Sequence, residues 1–182
     1  MIHPLAGIGI ALALLAAAPA GAAELPEFSR PASASEAVRS DTLPFQLWYD
    51  PSKWDVTAQK SGYAMFARIV HKDDGAISGA FTYQDGRVSE ADVRTRVRKE
   101  VEAIFATHEI QDFEARQVNG QRVLFMRASG TTRGKEDKVV RGYYWVGPEG
   151  VADYGVLVDR AAFERYRGDI LDMLNGLRIS RE

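Results

Sequence analysis

Cysteine is absent from all 182 residues. No disulfide can form in any compartment, so the core alone must hold the fold. The same absence excludes thiol redox chemistry, a cysteine nucleophile, thiolate metal sites and a lipid-modified cysteine anchor. Histidine is scarce, with only His3, His71 and His108. Charge of one sign is never concentrated: 23 basic side chains stand against 25 acidic ones, and the pI is near 6.0. Nucleic-acid binding calls for a basic stripe or a high pI, so no nucleic-acid partner is expected. The one long apolar run, near the N-terminus, is short for a membrane span of about 20 residues.

That run lies in residues 1–23, which contain no Asp, Glu, Lys or Arg. An Ala- and Leu-rich middle is followed by Ala18-Pro19-Ala20-Gly21-Ala22-Ala23. The pattern reads as a secretory signal peptide with an A-x-A-like cleavage site. Cleavage is placed after Ala23, with Ala20 and Ala22 as alternatives and an uncleaved anchor as the competing reading. A periplasmic or secreted protein without stable membrane insertion is therefore expected. Residues 24–41 are rich in Pro, Ala and Ser and read as a linker. Residues 42–182 read as a single domain, and the chain left after cleavage is long enough for one domain that buries about 70% of its unfolded surface.

Within the domain, residues 109–159 set the fold class. Alternating runs at 110–118, 121–129, 138–146 and 151–159 are separated by Asn119-Gly120, a polar loop at 130–137, and Gly147-Pro148-Glu149-Gly150. Asn-Gly is a strong hairpin signal, because both turn positions need positive φ. Apolar residues fall on both faces of these strands, which argues that both faces are covered. Upstream, 45–49, 54–59, 63–70 and 76–84 read as further strands. Residues 89–107 switch to helical spacing, with Val93, Val97, Val101, Ile104 and Phe105 in one stripe and Ser89 as N-cap. A last helix is predicted over 160–175, with Phe163, Tyr166, Ile170, Met173 and Leu174 as its buried stripe. The fold class is α+β.

The candidate chemistry is thin. His71-Lys72-Asp73-Asp74 offers metal-compatible ligands, but Asp-Asp-Gly is ordinary turn chemistry. His108, placed at the end of the first helix, is read as interacting with the helix dipole. Gly130-Thr131-Thr132-Arg133-Gly134-Lys135 departs from a phosphate loop in its spacing and in the Glu that follows. It reads instead as a hairpin tip whose Arg133 and Lys135 are the candidate binding residues. Arg94-x-Arg96-x-Arg98-Lys99 reads as a solvated helix face balanced by its own glutamates. Ser78 lacks the flanking glycine of a nucleophile elbow. No catalytic residue, metal ligand or cofactor is assigned.

The opening Phe45-x-Leu47-x-Tyr49-Asp50-Pro51-Ser52-x-Trp54, followed by hairpins, a long helix, antiparallel strands and a last helix, resembles the PsbP-like proteins and their exported bacterial relatives. The resemblance implies an α/β/α sandwich, a central antiparallel sheet with helices on both faces. It implies a non-enzymatic accessory protein and transfers no catalytic residue. The expected function is an exported binding protein acting through contact with another envelope protein. The alternative is a small-ligand or metal-binding module using a cleft between the sheet and residues 89–107. A hydrolase with an unrecognised site is the third reading.

Overall fold

The computed structural model describes residues 24–39, 44–61 and 64–179. The signal peptide read over residues 1–23 lies outside the described residues, as do the domain start at Thr42 and part of the Ser61-Gly62 turn.

The chain runs β1 (Glu27–Phe28), β2 (Glu36–Arg39), β3 (Phe45–Tyr49), β4 (Trp54–Ser61), β5 (Ala64–His71), β6 (Ser78–Asp85) and α1 (Glu90–Ile104). It continues through β7 (Phe105–Val118), β8 (Gln121–Thr132), β9 (Asp137–Val146), β10 (Gly150–Asp159), α2 (Arg160–Leu174) and β11 (Leu177–Ile179). Eight strands form one sheet, ordered β1-β7-β8-β9-β10-β6-β5-β4, and β11-β3-β2 form a second. The expected central sheet was wholly antiparallel. In the structure β1 joins it in parallel to β7, and β3 leaves it for the second sheet. The fold is α+β with a mixed sheet.

Residues 24–39, read as a linker, carry two of these strands. The backbone carbonyls of Pro26 and Phe28 accept from the amides of Gln117 and Asn119 at 2.8 and 2.9 Å. Tyr49 donates its hydroxyl to Glu36 at 2.8 Å across the β2–β3 pair. Such short pairings satisfy backbone groups without any side-chain periodicity that a sequence would reveal.

Two apolar clusters flank the large sheet. In one, Phe81, Tyr83, Tyr143 and Tyr154 pack with Phe163, Ile170, Met173 and Leu174 of α2 and with Phe45, Leu47, Leu177 and Ile179 of the small sheet. In the other, Val93, Val97 and Val101 of α1 pack on Leu124, Met126, Ala128, Tyr144 and Val151. Strands β5 and β6 contribute nothing to this second cluster.

The α1 N-terminus forms as its sequence predicts: the Ser89 hydroxyl accepts from the Asp92 amide at 3.1 Å. Its C-terminus differs. The helix stops at Ile104, because Phe105 is already extended and pairs with Thr132 of β8. Apolar spacing carried the expected helix to Thr107, but pairing with a long neighbouring strand overrides local preference. Similarly, β8 extends to Thr132 and β9 begins at Asp137, so the polar tip shrinks to residues 133–136. The Asn119-Gly120 turn has φ of 49° and 78°, as a primed hairpin turn requires. Helix α2 is interrupted at Tyr166, whose φ is −111° and ψ 21°.

Candidate functional site

Because α1 covers only part of its face of the sheet, a cleft of about 570 Å³ opens between the helix and β5, β6, β10 and β9. Ligand pockets commonly measure about 300–1,000 Å³. Strand register builds this space. Met126 pairs with Gly142, Gly142 with Gly155, Gly155 with Ala80, and Ala80 with Arg68. Residues that face each other across neighbouring strands share a sheet face, so Gly155 and Ala80, with Met126 at one end and Arg68 at the other, form the floor. On one side of it Tyr144, Asp153, Thr82 and Phe66 pair in turn; on the other Val140 pairs with Leu157, and Ser78 with Val70. Val97, Glu100, Val101 and Ile104 of α1 form the roof.

The rim is unusually apolar for a surface. Phe66 and Leu157 are 43% and 40% exposed, two of the three large hydrophobic side chains left in solvent among the described residues. Both line the cleft. Burial pushes the Tyr144 phenol well above its ordinary value, which keeps it neutral.

Charge in the cleft is unevenly matched. Arg96 holds both oxygens of Asp153, at 2.8 and 3.1 Å, and also Glu100 at 3.1 Å. The hydrogen bond to Asp153 is the main reason the Arg96 guanidinium is raised above its usual range. Among the described residues the Arg68 side chain has no hydrogen-bond or ion-pair partner. The lining includes no histidine, and its two carboxylates are engaged by Arg96. The arrangement can enclose an apolar body and hold a charged head; it offers no nucleophile beside a free base.

A second constellation lies on the opposite face. His71 is 1% exposed and turns inward from the β5 end. Its Nδ1 accepts from the Asp73 amide at 3.2 Å, so Nε2 carries the proton and donates to Asp169 of α2 at 3.3 Å. Lys53 donates to the other Asp169 oxygen at 2.6 Å. Burial pushes the Asp169 carboxyl up, but hydrogen bonds from Lys53 and His71 outweigh it and leave it below the usual range. Trp54 and Tyr166 enclose the imidazole, with ring centres 4.8 and 4.6 Å away. The space beside Asp169 is about 10 Å³, room for no more than one water. These groups join β4, β5 and α2. Among the described residues no three His, Asp or Glu side chains converge on a common cation position.

The remaining sequence candidates are dispersed. Arg133 and Lys135 stand exposed at the β8–β9 tip, with Lys135 in left-handed backbone (φ 65°). They lie on neither constellation. His108 was expected at a helix C-terminus; it is an exposed residue of β7, opposite Gly130, because the helix ends earlier. Gly130 itself has a structural reason: a Cβ there would lie 2.1 Å from the Thr107 carbonyl oxygen. The Arg96–Glu100 pair was legible from helical spacing, whereas Asp153 was not. Ser78 carries no sequence signal that it lines a cavity, and Tyr144, as an aromatic on a strand, gives none that separates a cleft wall from a core position.

No family model matches the chain, and no curated protein matches it. Solved structures do. The solution structure of the cyanobacterial PsbP protein CyanoP from Synechocystis is similar over 91% of this chain and 98% of that one, with a TM-score of 0.54 and 9% identity. LpqN of Mycobacterium tuberculosis, described as involved in cell envelope biogenesis, is similar over 80% of this chain and 90% of its own, with a TM-score of 0.51 and 11% identity. A Bacteroides thetaiotaomicron protein matches at a TM-score of 0.46 and 10% identity, and this chain spans 46% of its length. At such identities the likeness is one of fold. The chain has a PsbP-like fold.

Proposed function

We propose that this chain is an exported, non-enzymatic binding protein, an α/β/α sandwich whose working site is the cleft between α1 and the sheet. The observation that carries the reading is the 570 Å³ space itself, apolar over most of its lining and flanked by the exposed Phe66 and Leu157. A largely apolar space of this size with a few polar groups at its edge is the usual setting of a ligand site. The signal-peptide pattern of residues 1–23 supports export, and the shared fold of CyanoP and LpqN agrees with an accessory rather than a catalytic role. The test is binding of an environment-sensitive apolar dye and its displacement by dodecanol. Ala80→Trp, which fills the floor from an exposed position, should abolish binding and leave the melting temperature unchanged. An unchanged dye affinity in that variant contradicts the reading.

A second role rests on a different surface. Residues 133–136 stand clear of both sheets, with Arg133 and Lys135 exposed. This tip is proposed to contact another envelope protein of complementary acidic charge.

A further inference from the structure

We infer that the cleft takes a single-chain amphipath with an anionic head, of the long-chain carboxylate class, its tail beneath α1 and its carboxylate on Arg68. This rests on the cleft reading above and names the ligand for it.

The floor row gives the cleft a direction. It starts at Met126 under the helix, crosses Gly155 and Ala80, and ends at Arg68 on β5. From β9 to β5 is three strand spacings, roughly 14 Å, which suits an extended alkyl chain better than a compact ring system. Under the helix the lining is Val97, Val101, Ile104, Met126 and Val140. That end takes the apolar part.

Charge fixes which way the molecule lies. Glu100 and Asp153 sit at the α1 side, and Arg96 already serves both. A carboxylate placed there would meet two of its own sign. At the other end Arg68 is unpaired among the described residues. The hydroxyl-bearing Ser78 and Thr82 flank Ala80 on the same face, beside Arg68. A guanidinium donates in a planar fork that matches a carboxylate. A cationic amphipath would meet Arg68 itself and is disfavoured.

The experiment compares dodecanoate, dodecanol and dodecyltrimethylammonium by calorimetry on the full chain, as wild type and as Arg68→Gln. Arg68 is exposed, so the variant should fold unchanged. The expected order is dodecanoate tightest, then dodecanol, then the cation. Arg68→Gln should weaken dodecanoate about tenfold, the loss of one charge-assisted contact, and leave dodecanol unaltered. Dodecanol binding with no gain for dodecanoate, or a dodecanoate affinity indifferent to Arg68→Gln, overturns the head-group assignment and spares the cleft. Absence of binding by all three removes the cleft reading as well. Vesicles of phosphatidylglycerol supply the second arm: binding to vesicles without binding to soluble dodecanoate overturns the assignment in favour of a lipid surface.

Discussion

Asp169 of α2 accepts a hydrogen bond from His71 of β5 at 3.3 Å, across 98 residues of sequence. The contact sets the imidazole tautomer and ties the interrupted helix to the sheet end. Asp169→Ala leaves the buried Nε2–H without an acceptor, so unfolding free energy should fall by about 1–3 kcal/mol in urea titrations at neutral pH. The Asp169→Asn variant isolates the charge. The carboxyl is held below its ordinary value, so its contribution is present above the unfolded value and is lost as pH falls through the folded one. The stability gap between wild type and Asp169→Asn should therefore narrow on acidification through the carboxylate range. A gap constant with pH would contradict this.

Asn119 joins three elements. Its side-chain amide donates to the carbonyls of Asn175 and Leu177 at 2.8 and 2.7 Å, and its oxygen accepts from the Arg30 amide at 2.7 Å. Asn119→Ala loses all three and places a residue with a Cβ at φ 49° without compensation. A loss of about 2–4 kcal/mol is expected. Asn119→Gly keeps the backbone freedom and loses only the bonds, so its smaller deficit should measure them.

Gly130→Ala should cost about 1–3 kcal/mol by forcing β7 and β8 apart, since the nearest atom to the new methyl is backbone. Gly134→Ala should be close to neutral, with Thr132 Oγ1 its nearest contact at 3.6 Å. Equal effects at the two positions would contradict the close-approach account of the first glycine.

The parts legible in the sequence were those with local causes. Ser89 announced the helix start, Asn119-Gly120 the hairpin, and two-faced apolar strands the coverage of the sheet. The end of α1 was not legible, because Phe105 is claimed by Thr132, a residue distant in sequence. Nor was the pairing of β1 and β2, whose brevity leaves no period to read. The cleft residues come from α1 and several strands, with no local pattern that groups them. What assembles them is the register of four strands and a helix that covers only part of its face, and neither has a local signature.

The proposed partner contact rests on the exposed tip at residues 133–136. Arg133→Glu combined with Lys135→Glu should leave the melting temperature unchanged and abolish capture of an acidic partner by the tagged chain from an envelope extract. Undiminished capture would move that contact elsewhere.

The central claim is that the α1–sheet cleft is the binding site. Its most direct test is an amide chemical-shift titration of the full chain with dodecanoate. Saturable shifts confined to Phe66, Arg68, Ala80, Val101, Tyr144 and Gly155 are the predicted result. Shifts that do not saturate, or that centre away from these residues, would contradict it.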